Sequence, residues 1–157
     1  MAFVDCNILI EGFLRPLHPA QGVIIMAANK RLDLITCEKV IQDIEDVIIE
    51  EAENKNSYQV VEAWTALRKH TRLKVMPDPP AQLVEETYKK YLGIMRHIDD
   101  IPVLASAIEL GPDLILSDNT EHFNDRVSER CGIPIWSSVQ FLETLAGGLV
   151  KEKLKIQ

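Results

Sequence analysis

The stretch HIDDIPVLASAIELGPDLILSDNTEHF, residues 97–123, carries the strongest fold signal in this chain. Its apolar run IPVLASAIEL is helix-like and stops at Gly111, and the next run, DLILS (113–117), is short and continuously apolar. A continuously apolar run of this length is typical of a strand that is covered on both faces in a parallel sheet. A helix followed by such a strand is the repeating unit of an α/β fold.

Other strand-like runs alternate along the chain with longer segments of helical period. The strand-like runs are AFVD (2–5), LDLIT (32–36), LKVM (73–76) and IPIW (133–136), and the predicted helices are EKVIQDIEDVIIEEAENK (38–55), SYQVVEAWTALRKH (57–70), PAQLVEETYKKYLG (80–93) and SVQFLETLAGG (138–148). We therefore predict a three-layer α/β/α sandwich with a central, mostly parallel sheet of four or five strands. We expect residues 1–157 to form a single domain, in which residues 149–157 are a loose tail beyond the last helix.

The composition restricts the class of protein. A chain of 157 residues can bury roughly 70% of its unfolded surface, enough for one compact core. Three widely spaced cysteines without a CxxC pair argue against a disulfide framework, so we expect a cytoplasmic location. The sequence contains no run of about 18 apolar residues that could span a bilayer, so we expect no membrane partner. The net charge of −7 counts against a protein that holds nucleic acid through an overall positive field, but an acidic pocket filled by cations remains compatible with a nuclease.

Several aspartates fall at the ends of the predicted strands and helices. Asp5 directly follows the first strand, and Asp118 follows the fourth by one residue. The carboxyl ends of parallel strands share one edge, where open α/β sheets bind ligands. Asp99 and Asp100 open the helix that leads to the fourth strand, while Asp43 borders the apolar face of the first long helix. Clustered carboxylates repel one another, and a hard cation such as Mg²⁺ or Mn²⁺ removes that repulsion. Asp5, Asp100 and Asp118 are also explained as helix caps, Asp43 as one of the exposed acids of its helix and Asp99 as a solvated neighbour of Asp100, and these alternatives stay open here.

Three blocks of the sequence resemble the PIN-domain family. They are FVDCNILIEGFL (3–14), TCEKVIQDIEDVI (36–48) and DIPVLASAIELGPDLILSDNTEHF (100–123). In that family an apolar strand delivers an Asp, followed two residues later by an Asn, into a short helix. The last block is similar in its order of Asp, an Ala-rich helix, G-x-D, an apolar strand, Ser or Thr with Asp, and a following HF. The resemblance covers nearly the whole chain.

The resemblance assigns roles residue by residue. It implies catalytic acids at Asp5, Asp43, Asp100 and Asp118, with Asp5, Asp100 and Asp118 as ligands of Mg²⁺ or Mn²⁺, and supporting roles for Asn7, Asp99 and Ser117. The family's second acid is usually Glu, whereas this chain has Asp43 with Glu45 and Asp46 nearby, so which of these three completes the site stays open. We expect His122 to be a surface residue beside a core Phe123, and Cys6 to point away from the acidic cleft.

The function implied by the resemblance is that of a metal-dependent endonuclease that hydrolyses phosphodiester bonds in single-stranded RNA. The family includes toxins of toxin–antitoxin pairs, so an antitoxin protein and a homodimer are open partners beside an RNA substrate. One alternative is a non-catalytic PIN-like binding module. Another is a haloacid-dehalogenase-type phosphohydrolase, which needs a second Asp two residues after the first, where this chain has Asn7.

Overall fold

Five short strands form one sheet in the computed structural model, which describes the backbone of residues 1–155 and the side chains of residues 1–148. The strands are β1 (Ala2–Val4), β2 (Leu34–Cys37), β3 (Lys74–Met76), β4 (Leu114–Leu116) and β5 (Ile135–Trp136). They lie in the order β3-β2-β1-β4-β5, and every neighbouring pair is parallel. Each strand overlaps one of the predicted runs, so the predicted parallel sheet is confirmed with five strands.

Helices occupy most of the remaining described chain. They are α1 (Cys6–Leu14), α2 (Ala20–Ala28), α3 (Glu38–Lys55), α4 (Gln59–Thr71), α5 (Ala81–Tyr91), α6 (Ile101–Leu110), α7 (Asp125–Cys131) and α8 (Ser138–Lys155). A single 3₁₀ turn, Ile98–Asp100, leads directly into α6. Within the part of the chain that the structure describes, no helix combines the length and the apolar character needed to cross a membrane.

The helices cover both faces of the sheet. Every residue of β1 and β2 is buried, and because successive side chains of a strand point to opposite faces, this burial requires cover on both sides. Helix α2 packs against α1, α4 and α8, whereas α5 packs against α6. The architecture is the predicted three-layer α/β/α sandwich.

The strand order reverses in the middle of the sheet. From β1 the chain moves outward to β2 and β3, and it then returns to place β4 and β5 on the other side of β1. The register Val4↔Leu116 aligns the ends of β1 and β4. Open α/β sheets bind ligands beyond the carboxyl ends of the strands at such a reversal. Asp5 follows β1 at this point, and Ser117 and Asp118 follow β4.

The last helix is longer than predicted. Helix α8 continues through Gly147 and Gly148 to Lys155, so the prediction that it ends at these glycines is wrong. A glycine inside a helix costs about 1 kcal/mol relative to Ala, but this does not by itself end the helix. Gly111 and Gly132 do end helices, and both have a positive φ. The predicted loose tail falls on residues whose side chains, and for 156–157 also the backbone, lie outside the described part.

A pair of glycine substitutions tests the packing of α1 on α2. A Cβ at Gly12 would lie 2.9 Å from the Ala20 carbonyl oxygen and 2.9 Å from Ile24 Cγ1, so Gly12→Ala is expected to destabilise the protein by about 1–3 kcal/mol through overpacking. Among the residues whose side chains are described, none has an atom within 4 Å of a Cβ at Gly147, so Gly147→Ala is expected to stabilise α8 by about 0.5–1 kcal/mol. Urea unfolding measures the change in unfolding free energy for each variant. If both substitutions stabilised the protein, or both destabilised it, this packing would be contradicted.

Candidate active site

The Asp5 side chain is the most deeply placed acid at the reversal of the sheet. The residue is only 4% exposed. Its Oδ1 accepts a hydrogen bond from the Cys6 backbone N–H at 2.7 Å, and its Oδ2 accepts from the Asn7 amide at 2.9 Å and the Ser117 hydroxyl at 2.7 Å. The bond to Cys6 makes Asp5 the N-cap of α1. The helix-cap role suggested by the sequence is therefore present, and the carboxylate is fixed at the edge of the sheet.

Burial raises the pKa of Asp5 above its ordinary value. The hydrogen bonds from Ser117 and Cys6 act in the opposite direction, while the charge of Asp100 raises the pKa further. Desolvation and a like charge both disfavour the ionised form, so a nearby cation or a proton relieves the site. Asp5 and Asp100, which are far apart in the sequence, therefore share one electrostatic environment.

Asn7 and Ser117 connect the segments that follow β1 and β4. Besides its bond to Asp5, the Asn7 amide donates to Ser117 Oγ at 3.3 Å. Its carbonyl oxygen accepts from the Asp118 backbone N–H at 2.9 Å. The Asn119 backbone N–H donates to Ser117 Oγ at 3.2 Å. The structure thus brings together three of the residues that the sequence singled out, Asp5, Asn7 and Ser117.

The Asp118 carboxylate faces the start of α8. Its Oδ1 accepts from the Ser138 backbone N–H at 2.7 Å, and both oxygens lie 2.9 Å from the Ser138 hydroxyl. A carboxylate at a helix N-terminus is favoured by the partial positive charge of that end. Asp118 therefore accepts from the first residue of α8, while Ser137, which accepts from the Gln140 N–H at 3.2 Å, is the cap of that helix. The sequence analysis missed the partnership of Asp118 because Ser138 lies 20 residues away. Its role as a metal ligand stays a prediction.

Asp100 is held by a histidine. Asp100 Oδ2 lies 2.5 Å from His122 Nδ1, which is also 2.8 Å from the side-chain amide of Asn119. The His97 ring stacks on the His122 ring with centroids 4.2 Å apart. The His122 side chain is only 14% exposed, so the prediction of a surface residue is wrong. The turn that begins at Asn119 folds this ring back onto the acid.

Asp43 is paired with a lysine. Its Oδ1 lies 2.5 Å from Lys39 Nζ, one turn earlier on α3. The hydrogen bond to Asp43 raises the pKa of Lys39, and the charges of Asp99 and Asp46 act in the same direction. Sequence reasoning missed Lys39, although its spacing of four residues from Asp43 is the signal that a helical ion pair leaves. Among the alternative acids, Glu45 instead lies 3.3 Å from Arg68 of α4.

The Cys6 thiol lies in an environment that disfavours its charged form. Burial raises the pKa of the Cys6 thiol, and the charges of Asp5, Asp43 and Asp100 raise it further. The expectation that Cys6 points away from the acids stays a prediction. The thiol directly follows Asp5 as the first residue of α1, and three of the four predicted catalytic acids act on it.

The fit to a divalent cation depends on how many protein ligands the cation needs. Among the residues with described side chains, no three His, Cys, Asp or Glu groups converge to form a metal cage. Mg²⁺ is usually held by one or two carboxylates together with water and substrate phosphate oxygens. Asp5 and Asp100 are oxygen donors of the hard kind that Mg²⁺ prefers, although both oxygens of Asp5 already accept hydrogen bonds from Cys6, Asn7 and Ser117. The donor chemistry therefore suits a cation that is shared with substrate.

Comparison with solved structures identifies the fold, whereas no protein-family model and no curated protein matches the sequence. VapBC2 from Rickettsia felis, bound to a DNA fragment from its promoter, has a TM-score of 0.65 and 11% identity over 87% of this chain and 97% of that one. FitAcB from Neisseria gonorrhoeae has a TM-score of 0.60 and 11% identity, and the match covers 88% of this chain and 98% of that one. The chain has the PIN-domain fold. PAE2754 from Pyrobaculum aerophilum, with a TM-score of 0.56 and 16% identity over 93% and 89%, agrees, and at such identities the likeness concerns the fold alone.

The contact of Asp118 with the start of α8 gives a stability prediction. Asp118→Ala is expected to destabilise the metal-free protein by about 0.5–1.5 kcal/mol, since the Ser138 backbone N–H and hydroxyl lose their acceptor while the Ser137–Gln140 cap of α8 remains. The double variant Asp118→Ala with Ser138→Ala should lose less unfolding free energy than the two single variants together. The reason is that both substitutions remove the same side-chain hydrogen bonds between Asp118 and Ser138. Urea unfolding of the four proteins in EDTA measures this coupling. A stabilising effect of Asp118→Ala would show instead that repulsion among the acids dominates.

The pKa of Asp5 gives a pH prediction for the metal-free protein. Because the folded-state pKa is raised, the native state favours the protonated acid, so the stability that Asp5 contributes is present at low pH and lost as pH rises through the folded pKa. The unfolding free energy of the wild type relative to Asp5→Asn is therefore expected to fall as the pH rises above about 4, the ordinary pKa of an aspartate. Denaturant titrations in EDTA across this range measure the difference. A difference independent of pH would contradict the buried charge.

Proposed function

We propose that this protein is a metal-dependent endonuclease that hydrolyses phosphodiester bonds in single-stranded RNA. The observation that carries the proposal is the buried Asp5 carboxylate at the sheet reversal, with the charge of Asp100 acting on it. Structural likeness to VapBC2 and FitAcB supports a nuclease of the toxin class at the level of family. The sparse cysteines favour a reducing, cytoplasmic setting for this activity.

In this proposal the acids divide between cation binding and support. Asp5 and Asp100 would hold Mg²⁺ or Mn²⁺, with Asp118 as a further ligand. Asp43, rather than Glu45, completes the acidic cluster, while Asp99 assists Asp100 and Asn7 and Ser117 keep the Asp5 carboxylate in place. The bound cation supplies polarisation of the phosphodiester and stabilises charge on the leaving oxygen.

His122 serves Asp100 as a positioning residue. Its Nδ1 contact restricts the carboxylate to one orientation, as outer partners do for ligands in metal sites. The stacked His97 ring in turn restricts His122. A carboxylate that is held in advance loses less conformational freedom when cation and substrate arrive.

A macromolecular partner follows from the toxin hypothesis. We propose an antitoxin protein as the partner, in line with the likeness to VapBC2 and FitAcB. Because the net charge is −7, a cationic partner surface is the better match for this chain. A homodimer stays a prediction.

A non-catalytic binding module is the second candidate, and one observation favours it. All four predicted catalytic acids have protein partners: Cys6, Asn7 and Ser117 for Asp5, Lys39 for Asp43, His122 for Asp100 and Ser138 for Asp118. The dehalogenase-type hypothesis is weaker, because the position of its second acid is held by Asn7, whose amide donates to Asp5.

An RNA-cleavage assay separates the first two candidates. Purified protein with Mn²⁺ is expected to cut a single-stranded RNA, and Asp5→Asn and Asp100→Asn are each expected to lower the rate about 100-fold or more, the loss typical for one electrostatic stabiliser of a transition state. Asp125→Asn, which changes an exposed acid in the first turn of α7, is the matched control and should retain full rate. A single-stranded DNA of the same sequence tests the preference for RNA.

Two outcomes would count against the nuclease. Equal cleavage by the wild type, the EDTA-treated protein and Asp5→Asn would reveal a contaminating enzyme. Absence of cleavage, combined with a rise in melting temperature on Mn²⁺ addition that Asp5→Asn loses, would indicate the binding module, since a ligand that binds only the folded state stabilises it.

A further inference from the structure

Two segments that are far apart in the sequence run side by side up to the acids. One is 90–97, which ends α5 and leads to the 3₁₀ turn, and the other is 122–130, which contains most of α7. Neighbours across the two segments follow each other in reverse order, namely Lys90 with Arg130, Ile94 with Arg126 and His97 with His122. We call the surface between these segments the seam. It ends at the candidate site, because His122 contacts Asp100.

Contacts fix the seam at both ends. At the end away from Asp100, Arg130 Nη1 donates to the Lys90 carbonyl oxygen at 3.0 Å. At the near end, the His97 and His122 rings stack with centroids 4.2 Å apart. Between these contacts a cleft of about 280 Å³ is lined by Ile94, Arg126, Glu129 and Arg130. The seam is therefore a formed groove that leads to the acids.

The seam carries cations that no acid neutralises. Four of its side chains are exposed, and among residues 1–148 no carboxylate lies within salt-bridge distance of Lys90, Arg96, Arg126 or Arg130. Segment 87–98 contains no Asp or Glu. On α7, Glu129 borders the cleft, whereas Asp125 lines a different cleft with Trp136. In a chain of net charge −7, this positive stripe is locally complementary to a polyanion.

The end of the seam nearest the acids offers an aromatic face. One face of the His97 ring is covered by His122, and because His97 is exposed, the other face is open to solvent. Single-stranded nucleic acids bind in positively charged grooves that follow their backbone, next to aromatic rings on which the bases stack. Histidine is among the rings that stack on RNA bases. The seam combines both features, whereas an acidic peptide would use its cations alone.

We propose that the seam binds the single-stranded RNA substrate on one side of the bond that is cleaved. The four seam cations contact phosphates of the strand, and one base stacks on His97, so that the strand reaches Asp100 with the phosphodiester to be cut. The inference rests on the proposed function and adds to it the surface that holds the substrate. A local stripe, rather than an overall positive field, then lets a chain of net charge −7 hold RNA.

Salt-dependent RNA binding tests this inference without any need for cleavage. A fluorescently labelled single-stranded RNA is titrated with the full chain in EDTA, and its anisotropy gives the affinity at several salt concentrations. The double variant Arg126→Gln/Arg130→Gln is expected to bind about 10-fold more weakly at low salt. Its slope of log affinity against log salt should be smaller by about 1.4, since each phosphate contact on a single strand contributes about 0.7.

Matched variants separate the seam from a general effect of charge. Arg31→Gln/Arg72→Gln removes the same charge from two exposed arginines that precede β2 and β3, at the opposite edge of the sheet, and should keep the wild-type slope. Arg126→Lys/Arg130→Lys retains the charge and should keep it too. His97→Ala should weaken binding about 5-fold or more with no change in slope, whereas His97→Phe, which retains a ring face, should bind like the wild type.

The outcomes distinguish the seam from the nuclease. An unchanged slope in Arg126→Gln/Arg130→Gln, or an equal loss in Arg31→Gln/Arg72→Gln, overturns the seam, as does poly-glutamate that binds as tightly as RNA of the same charge. Absence of RNA binding by the wild type also overturns the seam, while the cleavage assay alone decides the nuclease. Binding that depends on the seam, without RNA cleavage in Mn²⁺, supports the seam and overturns the nuclease. Urea unfolding confirms that each variant is folded.

Discussion

A carboxylate buried at the end of the central strand must be hydrogen-bonded, because taking an ionised group out of water without partners costs several kcal/mol. Asp5 is in that position, and its donors come from α1 and from the segment after β4. This one requirement ties the end of β1 to the end of β4 and fixes where Ser117 and Asp118 lie. A shift of register by one residue between these strands would separate Asp5 from Ser117.

Structural and functional explanations of the aspartates coincide in this fold. At the carboxyl edge of a parallel sheet, each strand passes into the N-terminus of a helix, and acids are favoured there whether or not a ligand binds. Asp5 caps α1, Asp118 accepts from the first residue of α8, and Asp78 accepts from the first turn of α3. An aspartate at such a junction is therefore compatible with both roles, and only its burial and its neighbours separate them. Asp5 is set apart by its burial, which together with the charge of Asp100 raises its pKa.

The sheet and most helices were predictable because their signals are local. Continuous apolar runs and spacings of three and four residues located the five strands and helices such as α3 and α6. Helix α2 was missed because its sequence, AQGVIIMAA, is apolar on nearly every side. Apolar and polar residues therefore do not alternate with the helical period, and the period cannot be recognised. Helix α7 was missed because Val127 is its only buried residue among those described.

The contacts within the site were less predictable than the positions of its residues. Topology was enough to place Asp5 and Ser117 at one edge, although they lie 112 residues apart. The partners of Asp118 and Asp100, namely Ser138 and His122, depend on the course of the loop after β4, which periodicity does not describe. The ion pair of Lys39 with Asp43 was predictable from their spacing of four residues. Such pairs are common on helix surfaces, so the spacing alone does not indicate a functional role.

The stacked imidazoles of His97 and His122 have a practical consequence. Each ring shifts the proton resonances of the other through its ring current, and His122 contacts Asp100. Their proton resonances therefore form a natural spectroscopic sensor at the edge of the acidic hollow. Nuclear magnetic resonance can follow the arrival of a diamagnetic ion such as Mg²⁺ beside Asp100 through these two signals, with no label attached to the chain.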